Sequence, residues 1–282
     1  ITPAINDRMW AHQQTSLNAT HLREIGYDVI KPAVGPLAFD EGEGPGRMPE
    51  PEAIAAHVER ALRAGSPLAG RRIVVTAGST REAIDPVRFI SNHSSGKMGV
   101  AIARAAWARG ADVTLIAGAI EVPIPAGVRP VHVSSTAEMA AAVNAAIPDA
   151  DALVMAAAPA DFRPSEVAGE KIKKANAPAS ISLTQTTDIL GSTIANRPAK
   201  FVTIGFALET ESLIENARAK LSSKRLDMIV ANRAGVAGEG FGADTNRVTL
   251  LTASGEEVLP LMSKDDVAES LLDRIEVLLH GR

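Results

Sequence analysis

The sequence predicts an α/β fold: a parallel sheet with helices on both faces, followed by a C-terminal hairpin. Three observations carry this. From residue 71 onward, short apolar runs alternate with helical patterns, as in IVVTA (73–77), VTLIAG (113–118) and ALVMAAA (152–158). Strands that are apolar on nearly every residue are buried on both faces, which βαβ units produce. The length of 282 residues and the 46% hydrophobic content allow one large core or two domains. The order is therefore Rossmann-like, with right-handed crossovers.

Element by element, residues 7–25 carry Met9, Trp10, Leu17, Leu22 and Ile25 at helical spacing, with Gly26 as a C-terminal stop. YDVIKP (27–32) reads as a short strand. The stretch 35–51 is dense in Gly, Pro and acid and reads as an irregular loop, with a helix starting near Pro51. AGSPLAG (64–70) has linker composition, which separates a region 1–68 from a domain 69–282. In that domain, helices are expected at about 97–109 and 136–147, with strands at 73–77, 113–118, 131–133 and 152–158. FVTIGFA (201–207), a helix at 211–223 and MIVAN (228–232) follow. RVTLLTASGEEVLPL (247–261) reads as a hairpin around Ser254-Gly255, and a helix at 264–279 closes the chain.

Composition removes several functions. Lys plus Arg number 29 against 33 Asp plus Glu, a net charge of −4 that gives no footprint for a nucleic-acid backbone. Two Trp, one Tyr and six Phe offer little base stacking. The absence of cysteine excludes disulfides, thiolate nucleophiles and Cys-held zinc or iron–sulfur clusters. Six histidines form no close pair on a helix face. The apolar runs are too short to span a bilayer and nothing at the start resembles a signal peptide, so no membrane contact and a cytoplasmic location are expected. The chain opens at Ile1 in mid-pattern, as a piece of a longer polypeptide would.

In an open α/β sheet, ligands bind beyond the carboxyl ends of the strands. The loops after residues 77, 158, 206 and 232 are the places to look. The loop 77–99 ends at a helix start where Ser94, Ser95 and Gly96 offer N–H groups and hydroxyls to an anion, with Lys97 adding charge. It is no Walker loop, because Ser91 stands where the first glycine belongs, and AGSTRE lacks the dinucleotide glycines. An ordinary capped helix fits the same residues. Next, AAAPADFRPSEVAGEKIKK (156–174) places Asp161 at a strand end, with Lys171, Lys173 and Lys174 beyond it. Lys220 and Lys224, one helical turn apart after GFALET (205–210), can face one site. Both lysine groups suit a polyphosphate, and both also suit a solvated surface.

FISNHSSGKMG (89–99), the 156–174 stretch, GFALET, the Lys220/Lys224 pair and GFGADTNRVTLL (240–251) together resemble the phosphopantothenoylcysteine synthetase family, over about residues 70–280. The resemblance is to the synthetase half of the bacterial bifunctional enzymes of coenzyme A biosynthesis. It implies ligation of 4′-phosphopantothenate to L-cysteine with CTP and Mg²⁺, through an acyl-cytidylate, with release of pyrophosphate and CMP. The nucleotide-binding residues it implies are Gly78, Ser94, Ser95, Gly96, Asp161, Lys171, Thr187, Asp188, Ile189, Leu190, Phe206, Lys220 and Lys224. Asn92 would hold the acyl carbonyl in the second half-reaction, and Lys171 is the other residue given a catalytic role. The metal ligands stay open. A homodimer with contacts in 240–251 is implied, and a higher oligomer for the full fusion.

PAINDRMW (3–10) and GPLAFDEGEGPGRM (35–48) resemble the tail of the flavin-dependent decarboxylase that precedes the synthetase in these fusions. The family's reactive cysteine before Gly46-Arg47-Met48 is absent, with Phe39-Asp40-Glu41 nearby, and P-A-M-N is spelled Pro3-Ala4-Ile5-Asn6. Without a thiol the reductive step lacks its proton donor. FMN is therefore expected only with a full decarboxylase half, not in this fragment. The runner-up reading is a nicotinamide-dependent reductase, which shares the sheet, and a third is a non-catalytic nucleotide-binding module.

Overall fold

A computed structural model describes all residues except 39, 174–179, 236, 237, 239, 241 and 282. The chain divides into two compact units, Ile1–Ser66 and Pro67–Arg282, two residues ahead of the expected boundary.

In the first unit, the expected helix 7–25 is split into α1 (Asp7–Ala11) and α2 (Gln13–Glu24). His12 causes the break: its backbone is extended and its Nδ1 accepts the Gln14 N–H at 3.1 Å, so it caps the second helix. Residues 27–32 form no strand. Val29 and Ile30 are buried there, and the Ile30 N–H donates to the Ile1 carbonyl at 3.0 Å. The strands are β1 (Ala33–Pro36) and β2 (Glu43–Arg47), an antiparallel ribbon that begins just ahead of the stretch 35–51 expected to be irregular and ends within it. Helix α3 (Pro51–Leu62) starts on proline as expected.

The second unit runs β3 (Arg72–Ala77), β4 (Arg81–Ala83), β5 (Phe89–Ser91), α4 (Lys97–Ala108), β6 (Asp112–Ala117), β7 (Arg129–His132), α5 (Thr136–Ala146) and β8 (Ala152–Met155). It continues with β9 (Phe162–Pro164), β10 (Leu183–Gln185), α6 (Ile189–Thr193), β11 (Val202–Glu209), α7 (Leu213–Ser223) and β12 (Met228–Arg233). The close is β13 (Thr245–Asn246), β14 (Thr249–Thr252), β15 (Gly255–Val258), β16 (Met262–Ser263) and α8 (Lys264–His280).

Eight strands form the central sheet in the order β15-β14-β12-β11-β8-β3-β6-β7. The six from β12 to β7 pair in parallel, which is the doubly wound order. The expected hairpin β14–β15 adds antiparallel to β12 at the edge. Alternation along β3 sends Val74 into a core with Ile116, Leu153, Met139 and Val143 under α5. On the opposite face α4 meets β3 so closely that a Cβ on Gly99 would lie 2.6 Å from the Ala77 Cβ. Helix α8 packs against α4, and Arg109, which caps the C-terminus of α4, joins them through Glu269, Asp273 and Glu276. Three short antiparallel pairs, β4–β5, β9–β10 and β13–β16, were not legible in the sequence.

Candidate functional site

Strand order reverses between β3 and β8, and there the loops leaving the two strands part to opposite sides. A cleft of about 660 Å³ opens at this point. One wall is the start of α4. Gly96, in the left-handed region at φ 78°, turns the chain into the helix, and among the described residues no side chain caps it, which offers the first-turn N–H groups to a ligand. Gly99 lets α4 sit down on β3, which holds that helix start at the sheet edge.

The second wall is the small-residue loop Ala156–Asp161 after β8. Buried hydroxyls fix its backbone: the Thr76 Oγ1 accepts the Ala157 N–H at 3.1 Å, and the Thr80 Oγ1 accepts the Ala160 N–H at 2.8 Å. Thr136 donates from its hydroxyl to the Ala160 carbonyl. The Asn92 amide closes the network, donating to the carbonyls of Ala158 at 3.2 Å and Pro159 at 3.0 Å. The third wall is the segment Thr187–Leu190, which starts α6, together with Phe206 of β11, and the fourth is Lys220, Lys224 and Leu226 at the end of α7. Asp188 caps α6 by accepting the Gly191 N–H at 3.1 Å.

Among the described residues, four lysines and two aspartates line this cleft, an excess that suits an anionic ligand. Each lysine already has a protein partner. Lys220 meets Glu209 at 2.9 Å, and Lys224 pairs with Asp188. Lys97 donates to Asp244 at 2.6 Å and to the Gly242 carbonyl. Lys264 is buried and donates to the carbonyls of Gly240 and Ala243. Burial pushes the Lys264 ammonium below its ordinary range, and the nearby Lys97 adds to this. Burial raises the Asp188 carboxyl, but Lys224 and the Gly191 N–H outweigh it and hold it low.

The expected residues Asn92, Ser94, Ser95, Gly96, Asp161, Thr187, Asp188, Ile189, Leu190, Phe206, Lys220 and Lys224 all line this one cleft. Gly78 does not. Its φ is 80° and a Cβ there would sit 2.2 Å from the Ala119 carbonyl, so its role is to let two loops cross behind the wall. Lys171 does not line the cleft either and is exposed. Its neighbour Ile172 is bound to the β4–β5 turn, donating to Asp85 at 3.2 Å and accepting from Arg88 at 3.0 Å. Lys173 is exposed, and Lys174 lies outside the described residues. Asn92 lines the cleft, and its amide nitrogen donates to two backbone carbonyls of the neighbouring loop.

Sequence reasoning missed Asn232, Asn246 and Lys264. Asn232 lies one residue from the end of β12, is only 8% exposed, lines the cleft, and its side chain hydrogen-bonds to no described residue. Asn246 accepts the Gly240 N–H at 3.3 Å. The available signal for Lys264 was a lysine at the first position of a helix, where the dipole disfavours a cation. Among the described residues no group of three or more His, Asp or Glu could hold a metal, and no helix is long and apolar enough to cross a membrane.

Residues 68–278 match the family described as DNA/pantothenate metabolism flavoprotein C-terminal domain, and residues 1–63 match the flavoprotein family. The chain is 43% identical over 277 residues to the coenzyme A biosynthesis bifunctional protein CoaBC of Vibrio cholerae, which spans 98% of this chain and 69% of that protein. The protein of the same name from Mycobacterium tuberculosis is 44% identical over 297 residues, 100% of this chain and 71% of that one. A crystal structure of the C-terminal domain of a coenzyme A biosynthesis bifunctional protein CoaBC shares the fold with a TM-score of 0.66. It is 40% identical and covers 77% of this chain and 100% of its own.

Proposed function

The chain belongs to the DNA/pantothenate metabolism flavoprotein family as found in the bifunctional coenzyme A biosynthesis proteins, and on that premise we propose that its larger unit ligates 4′-phosphopantothenate to L-cysteine at the expense of CTP. A carboxylate oxygen of phosphopantothenate attacks the α-phosphorus and pyrophosphate leaves with the broken P–O bond. The cysteine amine then attacks the acyl carbonyl, loses a proton and expels CMP.

The observation that carries the reading is the cleft at the switch point, where an open helix start meets four lysines. Phosphoryl-type transfer needs positioning and charge neutralisation more than covalent help. In this assignment Ser94, Ser95 and Gly96 receive phosphate oxygens. Lys220 and Lys224 exchange Glu209 and Asp188 for the ligand. Thr187–Leu190, Asp161, Phe206 and Asn232 take the nucleoside. Asn92 reaches an acyl carbonyl only by releasing Ala158 and Pro159, so its first duty is to hold that loop. Lys171 receives no role in this cleft. The donor set fits Mg²⁺ held mainly by phosphates and water, with Asp161 and Asp188 the carboxylates lining the cleft. The ion would neutralise charge on the leaving pyrophosphate.

The homodimer is assigned to the exposed apolar side chains Phe89, Phe162 and Leu183 on the β4–β5 and β9–β10 hairpins. The 240–251 segment suits it less, since Val248 and, in β14, Leu250 and Leu251 are buried. Residues 1–66 contain no cysteine, and no decarboxylation is assigned to them.

Pyrophosphate release tests the function. It is expected with CTP, 4′-phosphopantothenate and Mg²⁺ together, with amide product appearing once cysteine is added. NADPH oxidation without pyrophosphate would favour the reductase reading and sink this one.

A further inference from the structure

Arg197 lies between α6 and β11, does not line the cleft, and stands where two of its walls meet behind the surface. All five of its N–H groups are directed at acceptors on those walls. Nε and Nη2 donate to the Thr193 hydroxyl at 3.0 and 2.8 Å, and Nη2 donates to the Leu190 carbonyl at 2.9 Å. Nη1 donates to the carbonyls of Lys224 at 3.0 Å and Arg225 at 2.8 Å. Leu190 ends the Thr187–Leu190 wall, and Lys224 is the cation at the close of α7. Arg225 sits in the left-handed region at φ 48°, a strained place for a residue with a side chain, and this guanidinium takes up its carbonyl.

On the cleft side the same two walls are joined by the ion pair of Lys224 with Asp188. A phosphate that recruits Lys224 must break that pair. What then holds the walls together is the guanidinium behind them and the packing of both Leu190 and Leu226 over Gly205, where a Cβ would come within 3.6 Å of Leu190 and 2.7 Å of Leu226. We infer that Arg197 is a positioning residue for the nucleotide, fixing α6 against the end of α7 so that Lys224 trades Asp188 for phosphate without the wall opening. This rests on the nucleotide reading above. A lysine at 197 cannot replace the fork, because three donors on one atom cannot span acceptors on two elements.

The test titrates Mg·CTP calorimetrically into the whole chain and its variants and follows pyrophosphate release. Arg197→Lys is expected to weaken CTP binding by about tenfold or more, with KM for CTP rising in step, kcat within about threefold and KM for phosphopantothenate nearly unchanged. Thr193→Val, which removes one acceptor, should shift CTP binding in the same direction by less, and Thr193→Ser should restore it. A folded Arg197→Lys that binds CTP like wild type would overturn the role of Arg197 alone, as would equal losses on both substrates. If Arg197→Lys does not fold, Thr193→Val with wild-type CTP affinity overturns it. Wild-type chain that binds no CTP would overturn the nucleotide reading and this inference together.

Discussion

The Asp85 carboxylate is fully covered, yet it is charged and satisfied. The Arg88 guanidinium beside it holds it far below the ordinary carboxylate range, and the N–H groups of Val87, Ile172 and Arg88 add to this, with burial opposing. A carboxyl depressed by folding stabilises the protein at pH values above its unfolded pKa, and that contribution is lost as pH falls below it. The unfolded value is near 3.8. Asp85→Asn is therefore expected to lower Tm at neutral pH, with the gap to wild type closing as pH is brought below about 4. A gap that stays constant from pH 7 to pH 3 would show that the charge is immaterial. Lys224→Gln removes a cation from the cleft, and CTP affinity should fall by about tenfold, one charge-assisted contact being worth roughly 1.5–3 kcal/mol. Asn92→Asp replaces two donors with a carboxylate facing the carbonyls of Ala158 and Pro159. Since that loop is a wall of the whole cleft, both pyrophosphate release and amide formation should slow. Build-up of phosphopantothenoyl-CMP at the wild-type rate would instead return Asn92 to the acyl carbonyl alone.

At the scale of elements, α4 is placed by a glycine. Gly99→Ala would press a methyl to within 2.6 Å of the Ala77 Cβ and the Thr76 carbonyl, neither of which is the free end of a flexible chain. The cost is expected at about 1–3 kcal/mol, a Tm loss of about 2–4 °C for each. CTP binding should weaken as the helix start lifts from the cleft. An unchanged Tm would mean that α4 has slack the packing does not show. The long elements were legible because burial writes itself into sequence: IVVTA and MIVAN are apolar at all but one position each, Thr76 and Asn232, and the alanine-rich α4 is buried along most of its length. The β4–β5 and β9–β10 hairpins were not, since three-residue strands with exposed Phe89, Phe162 and Leu183 have no buried face to impose alternation. Helix α2 was misjudged because His12 acts as a cap through its ring, which helical spacing does not reveal. The cleft was legible where its chemistry lies in or just beyond a strand of the parallel sheet, as at Phe206 in β11 and Asp161 after β8. Lys264 and Asn246 were hidden because they reach it from sequence far downstream.

At the scale of the molecule, every residue lining the cleft falls between Asn92 and Lys264, inside the unit Pro67–Arg282. The eight-stranded sheet and the helices α4 to α8 belong to that unit as well. The first unit closes on its own elements: a β-ribbon, three helices and a hydrogen bond from Ile30 to Ile1. The relative whose C-terminal domain was crystallised by itself covers 77% of this chain, about the share that the larger unit makes up. A hydrophobic core that large needs no help from a small neighbour. Residues 67–282 produced alone are thus expected to bind Mg·CTP with the affinity of the whole chain and to release pyrophosphate with a kcat within about twofold. Cleavage of the whole chain in the AGSPLAG stretch should leave both properties standing. If removal of residues 1–66 abolished CTP binding while the remaining unit kept its fold by circular dichroism, the first unit would have to shape the nucleotide site. The cleft described above would then be incomplete.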